Sequence, residues 1–139
     1  MINPVKIAVD AMGGENSPSK VIKGIEIHCL NSSNIFYNIF GNQNLIDKSN
    51  WVFLGILPKV GETILPKLRF RDNQIIVSFM STTNYQKLKK LIKTKSIIIR
   101  AIPMPPIRLG KGPVAIFPPN KKIKNFFDRI GTTIEIRNE

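Results

Sequence analysis

Residues 10–18, which read DAMGGENSP, bring together a carboxylate, two glycines and a helix start. Glycines let the backbone turn tightly and approach a bound molecule closely. Ser17 followed by Pro18 is typical of a helix N-terminus, where free N–H groups can hold a phosphate. A plain strand-to-helix turn with a capped helix would contain the same residues, so both interpretations stay open here. The candidate ligand-facing residues are Asp10, Gly13, Gly14 and Asn16.

The elements that must position this turn follow from the hydrophobic pattern. Short runs rich in β-branched residues predict strands over residues 5–10, 35–40, 51–55, 75–78, 97–101, 114–117 and 132–136. Helical spacing and capping residues predict helices over residues 18–30, 58–65, 83 or 84 to 91, and 123–130, with a proline-rich loop over 103–106. This alternation indicates a layered α/β fold with a mostly parallel, Rossmann-like sheet and helices on both faces. Ligands in such folds bind beyond the carboxyl ends of the strands.

Length and composition narrow the class of protein. The chain has 139 residues, of which 42% are hydrophobic, which predicts a globular domain with a real core. Its longest apolar runs are too short to span a bilayer, and its N-terminus lacks the pattern of a secretory signal. The single cysteine excludes an internal disulfide, so a cytoplasmic location is expected. One histidine and one cysteine do not make a metal site, so no metal is expected.

The positive charge is concentrated in the second part of the chain. Residues 1–50 hold four basic and four acidic residues, whereas residues 51–139 hold 17 basic and five acidic ones. A non-enzymatic basic binding domain is therefore one alternative. Nucleic acid is not the favoured partner, because only Tyr85 offers an aromatic ring near the lysine-rich run at 87–95. A solvated helix face, in a chain rich in Lys, Ile and Asn, explains the same charges.

Residues 6–18, KIAVDAMGGENSP, closely resemble the N-terminus of the bacterial phosphate acyltransferase family. That family begins with a strand, an Asp-Ala-Met-Gly-Gly-Asp turn and a helix started by proline; here Glu15 replaces the last Asp. The IFGNQNLI stretch at 39–46 is similar to the family's next strand and turn. The resemblance covers about a third of the chain. It implies conversion of acyl carrier protein thioesters and phosphate into acyl phosphate for phospholipid synthesis, with acyl carrier protein as partner.

The rest of the chain resembles another family, pyrroline-5-carboxylate reductase, from the fourth strand of its dinucleotide-binding domain onwards. The segments that carry the resemblance read WVFLGILP, IIVSFMST, IIIRAIPMPP, RLGKGPVAIF and FFDRIGTTIEI, in that order, between residues 51 and 136. The resemblance implies NAD(P)H as cofactor, a small-molecule substrate and a role in proline biosynthesis. It also implies that the nicotinamide side of the cofactor contacts the loops at Pro58, Ser78, Pro103 and Met104.

Several departures from the reductase pattern affect this side of the cleft. Leu57 stands where the family has the lysine of Val-Lys-Pro, and Ser81 stands where it has a glycine. Met104 and Pro105 replace the Asn and Thr of Met-Pro-Asn-Thr-Pro. The glycine-rich phosphate motif GxGxxG does not occur, and the family's C-terminal helical domain has no counterpart. The sequence therefore predicts an incomplete active site.

The two resemblances meet at residues 47–50, where the charge balance also changes. They divide the chain into an acyltransferase-like segment, residues 1–48, and a reductase-like segment, residues 49–139, which could pack as one domain. The leading interpretation is a truncated or chimeric NAD(P)-dependent oxidoreductase-like domain. A phosphate acyltransferase fragment and a basic binding domain are the alternatives.

Overall fold

The computed structural model describes residues 5–9, 22–26, 35–39 and 43–139. Seven strands lie in a single sheet, and helices cover it. The strands are β1 (Val5–Val9), β2 (Ile35–Ile39), β3 (Trp51–Leu54), β4 (Ile75–Ser78), β5 (Ile97–Pro103), β6 (Pro113–Phe117) and β7 (Thr132–Glu135). Residues 22–26 are helical and are given no label. The helices after them are α1 (Gln43–Lys48), α2 (Pro58–Ile64), α3 (Tyr85–Leu91) and α4 (Lys121–Phe127). The predicted α/β class is confirmed.

The order of the strands creates a reversal near the start of the sheet. The order is β2-β1-β3-β4-β5-β6-β7, and the first five strands run parallel. β6 runs antiparallel to β5, and β7 runs parallel to β6. After β1 the chain adds β2 on one side and then β3 on the other. In open α/β sheets the ligand crevice lies at such a reversal, beyond the carboxyl ends of the strands on either side of it.

Both faces of the sheet are packed, because side chains alternate along each strand. One face packs α4 against the central strands, and the other packs α1, α2 and α3. The buried cluster on the α4 face is Ile7, Phe53, Ile75, Val77, Ile99, Ala101, Val114, Ile116, Ile123 and Phe127. The buried cluster on the opposite face is Ile46, Val52, Leu54, Ile56, Leu65, Ile76, Met80, Leu88, Ile92 and Ile98.

Strands from both sequence segments pair directly in this sheet. Ile7, Ala8 and Val9 of β1 lie opposite the first three residues of β3. Asn50, just before β3, bonds through its backbone to the strands on both sides. Its N–H donates to the carbonyl of Lys6 in β1 at 2.8 Å, and its carbonyl accepts from the N–H of Ile75 in β4 at 3.0 Å. The hydrogen-bond ladder therefore continues across the junction of the two resemblances.

Several elements differ from the sequence-based expectation, among them a 3₁₀-helix at Leu65–Lys67 that directly follows α2. α1 was not predicted. β5 continues two residues past the expected end, to Pro103, because it pairs with β6 over that length. A 3₁₀-helix at Pro105–Leu109 lies where a loop was expected. α4 begins earlier than predicted, because Asn120 caps it by accepting from the N–H groups of Lys122 and Ile123, and it ends at Phe127, before the predicted end at residue 130.

Within the described residues, no helix is long and apolar enough to cross a membrane.

Candidate functional site

The carboxyl edge of the parallel strands brings three chain turns together. Leu54 at the end of β3 lies opposite Ser78 at the end of β4, and Ser78 lies opposite Arg100 of β5. β5 continues for three more residues, so Pro103 lies roughly 10 Å beyond the level of Ser78. The turns after β3, β4 and β5 therefore form a stepped edge next to the crevice.

The turn after β3 leads into α2 and contributes Pro58. Leu57 caps this helix in an extended conformation, and Pro58 takes its first position, where a missing N–H costs no hydrogen bond. Leu57 is 61% exposed. This turn thus offers an apolar surface where the reductase family has a lysine.

The turn after β4 is shaped by the Ser78 hydroxyl. Ser78 is fully buried, and its Oγ accepts a hydrogen bond from the N–H of Met80 at 3.3 Å. Met80 is also buried and packs against Gly61 of α2. Asn84 ends the turn by capping α3, its side chain accepting from the N–H of Lys87 at 2.8 Å. Ser78 therefore supports the turn from below and does not present its hydroxyl at the surface.

The segment from Pro103 to Pro113, here called the arm, extends past the other strands. Its base is closed by a hydrogen bond from the Met104 N–H to the carbonyl of Pro113 at 3.0 Å. Ile107, in the 3₁₀-helix, packs against the α4-side core. The backbone carbonyl of Gly112, together with Ile107, lies so close to Gly131 that no side chain would fit there. Met104 is 41% exposed at the start of the arm. The arm is therefore anchored at its middle and presents an apolar side chain at the edge.

Arg100 forms an ion-pair network that the sequence-based site residues did not include. Its Nη2 donates to the carbonyl of Ser81 at 2.8 Å, and its Nη1 pairs with the carboxylate of Glu139. The other oxygen of Glu139 accepts the N–H of Tyr85, the first residue of α3, at 2.7 Å. A charged residue inside the apolar strand IIIRAIP was the signal that could have revealed this network.

Burial shapes the electrostatics of Arg100. Its side chain is only 14% exposed, and desolvation holds the pKa of the guanidinium below its ordinary value. An arginine remains cationic at neutral pH despite such a shift. Its Nε–H is the buried side-chain donor without a hydrogen-bond partner in the described part of the chain.

The sequence-predicted site residues divide into two groups. Pro58, Ser78, Pro103 and Met104 all lie at or just past the carboxyl ends of β3, β4 and β5. Asp10, Gly13, Gly14 and Asn16 lie outside the described residues, and so do His28 and Cys29. In the described ranges, the acidic residues form no group able to hold a metal ion.

Three solved structures to which this chain is similar are pyrroline-5-carboxylate reductases. The enzyme from Plasmodium falciparum, solved with NADP bound, superposes on 99% of this chain with a TM-score of 0.75 and 15% identity. The Streptococcus pyogenes enzyme covers 96% of the chain with a TM-score of 0.69 and 22% identity. The Coxiella burnetii enzyme covers 99% with a TM-score of 0.70 and 17% identity. The chain has the fold of these reductases. It spans 59%, 59% and 60% of their respective lengths.

Sequence similarity to curated proteins leads to a different family. The phosphate acyltransferase of Pelagibacter ubique is 57% identical over 42 residues, which are 30% of this chain and 13% of that protein. The corresponding protein of Caldicellulosiruptor saccharolyticus is 41% identical over 44 residues, again 13% of its length. No protein-family model matches the chain. The reductase likeness is thus one of fold over nearly the whole chain, and the acyltransferase likeness is one of sequence over less than a third.

Proposed function

We propose that this chain is an NAD(P)H-binding domain of the pyrroline-5-carboxylate reductase type, which holds the nicotinamide side of the cofactor at the carboxyl edge. The observation that carries this proposal is the reductase fold over nearly the whole chain, with the strand reversal next to that edge. Pro58, Ser78, Pro103 and Met104 follow the strands that border it.

The residues at the edge suit a nicotinamide ring. Leu57 and Met104 offer exposed apolar surface against which a flat ring can pack. Lys59 and Lys111 are exposed on the neighbouring turn and arm, where their charges attract an anionic cofactor. When bound, NAD(P)H supplies a hydride for reduction of a C=N bond, and this chain's own residues bind and orient the ring.

The substrate and the location belong to the same proposal. A cyclic imine of the pyrroline carboxylate class, reduced in proline biosynthesis, fits the reductase fold. We propose that turnover requires parts of the reductases that this chain does not span, since it covers about 60% of their length. A cytoplasmic location agrees with the single cysteine.

A second candidate function is that of a phosphate acyltransferase fragment. It is favoured by the identity of 57% over 42 residues to the Pelagibacter ubique enzyme. Asp10, Gly13, Gly14 and Asn16 would then face an acyl phosphate, and acyl carrier protein would be the partner. A non-enzymatic basic domain that binds a polyanion is the third candidate.

Titration of the purified chain with NADPH, acetyl phosphate and a short DNA duplex separates these three functions. We expect saturable NADPH binding that falls less steeply with salt than duplex binding does, because ring packing contributes to it beside the lysine charges. Duplex binding that falls steeply with salt would favour the basic domain. Saturable binding of acetyl phosphate alone would favour the acyltransferase.

The binding edge is tested by a matched pair of substitutions, one at the first residue of β5 and one just past its carboxyl end. Met104→Glu places a negative charge at the carboxyl edge and should raise the Kd for NADPH about tenfold, or ~1.4 kcal/mol. Ile97→Glu makes the same change at the opposite end of the strand, where Ile97 is 48% exposed. It should change the Kd by less than a factor of about two. Equal effects of both substitutions would contradict binding at the carboxyl edge.

A further inference from the structure

We propose that Arg100 is a positioning residue, which holds the turn after β4 in place for the nicotinamide side of the cofactor. The inference rests on the proposed function for the identity of the ligand. It concerns an arginine that does not itself have to touch the cofactor. Its partners are Ser81 in the turn, Glu139 and, through Glu139, Tyr85 at the start of α3.

The geometry ties the middle of the turn to Arg100 directly and the start of α3 to Arg100 through Glu139. The bond from Arg100 to the Ser81 carbonyl measures 2.8 Å. Bonds within the turn are longer: Thr83 N–H to the Met80 carbonyl measures 3.2 Å, and Met80 N–H to Ser78 Oγ measures 3.3 Å. The shorter bond comes from a neighbouring strand, whose position the sheet fixes. Arg100 therefore links the turn directly to β5, in addition to the bond from the Phe79 N–H to the Leu54 carbonyl that links it to β3.

Glu139 keeps the guanidinium aimed at the turn. One oxygen of its carboxylate pairs with Nη1 of Arg100, and the other accepts a hydrogen bond from the Tyr85 N–H. A carboxylate at this end of a helix also interacts favourably with the helix dipole. Arg100 and α3 are thus held by one shared anion, and the turn between them has fixed ends.

The energetics argue against a role in stability alone. Arg100 is 14% exposed and Glu139 is 24% exposed, so both ions lose much of their hydration. The Nε–H of Arg100 is buried and makes no hydrogen bond in the described part of the structure. Replacing such a pair by apolar residues of similar volume is often neutral or stabilising. A network that adds little stability but fixes a turn at the binding edge is a candidate for positioning.

The decisive variant is Arg100→Met combined with Glu139→Met, which removes both charges and preserves the packing. It should unfold within a few degrees of the wild type. We expect at least a fivefold higher Kd for NADPH and less than a twofold change for 2′,5′-ADP, which carries only the adenosine half. Amide hydrogen exchange at residues 80–85 should accelerate. Arg100→Lys keeps the positive charge but loses the planar guanidinium with its two donating nitrogens. It should give a Kd for NADPH and an exchange rate between those of the wild type and the double variant.

The possible results separate a positioning role of Arg100 from a general structural role. Unchanged exchange at residues 80–85 in a folded variant would overturn the positioning role. An equal loss of NADPH and 2′,5′-ADP binding would indicate a general structural role and would also overturn it. If the double variant does not fold, Arg100→Lys supplies the same comparison. If the wild type binds neither ligand, the proposed function fails, while the exchange rates still report whether Arg100 holds the turn.

Discussion

Gly61 shapes the carboxyl edge because it has no side chain. A Cβ at this position would lie 2.7 Å from Sδ of Met80 and 3.4 Å from Cδ1 of Ile56. Met80 lies in the turn after β4, and Ile56 in the turn after β3. Because Gly61 has no side chain, α2 can pack closely against both turns, and this packing sets their spacing.

Substitution of Gly61 by alanine should therefore be destabilising, although alanine favours helices. We expect a loss of about 1–2 kcal/mol in the free energy of unfolding, because Met80 must move out of its packing site. In a Met80→Ala background the clash is gone, and the same substitution should stabilise α2 by about 0.5–1 kcal/mol. Urea unfolding of the four proteins measures both values. Additive effects would contradict the contact.

The sequence could predict where the candidate site residues lie better than what surrounds them. Pro58, Ser78 and Pro103 follow recognisable strands, so their place at the carboxyl edge followed from the strand pattern and the family resemblance. The burial of Ser78 was not predictable, because it depends on the packing of Met80 against α2. Arg100 was missed as a site residue because its partners, Ser81 and Glu139, are distant in the chain.

At the scale of elements, α4 and β7 are joined by a carboxylate at the helix C-terminus. Asp128 Oδ1 accepts the Thr133 N–H at 2.9 Å, and its other oxygen pairs with Lys124. The hydrogen bonds with Lys124 and Thr133 lower the pKa of Asp128 from 3.8 to about 2. The proton is therefore bound less tightly in the folded state than in the unfolded chain. This contribution to stability is present above pH ~4 and is lost as the pH falls towards 2.

Asp128→Asn removes that dependence on pH. The variant should melt a few degrees below the wild type at pH 7, and the two melting temperatures should converge as the pH approaches 2. Thermal unfolding followed by circular dichroism between these pH values provides the test. Glu135→Gln, which removes one negative charge from β7, is the control. A constant difference between wild type and Asp128→Asn across the range would contradict the linkage.

The strands were predictable as elements, because their β-branched runs have few alternatives. α1 was not, since its six residues QNLIDK bury only Ile46 and show no helical period. The residues of β6, PVAIF, do not indicate that this strand runs antiparallel to β5. The antiparallel direction follows from the short connection after β5, because a parallel crossover needs about a dozen residues or more. Such information lies in loop lengths and partners, outside the strand itself.

At the scale of the whole molecule, the sheet depends on strands from both sequence segments. β3 is an interior strand because β1 pairs with it, and Asn50 bonds to both sides of the junction. Without residues 1–48, Trp51–Leu54 would become an edge of four consecutive apolar residues. Unpaired apolar edges of this kind recruit other chains.

Residues 49–139 produced alone should therefore aggregate or unfold at lower temperature than the full chain. Size-exclusion chromatography and thermal melts of the two proteins give the comparison. We expect a cooperative melt and a defined size for the full chain, and broad melting with large species for the shorter one. A monomeric 49–139 that melts at the temperature of the full chain would show that the first segment is dispensable.

The arm leaves the sheet on β5 and returns on β6, and both of its ends are clamped by the pairing of Pro103 with Val114. Its tip is exposed at Leu109, Gly110 and Lys111, and its middle is anchored by Ile107. Extra residues inserted at the tip would lengthen a loop whose endpoints do not move, at a small cost in closure entropy. The arm is thus a ready attachment point for a small tag or fluorophore, which would report on whatever enters the crevice while the sheet stays unchanged.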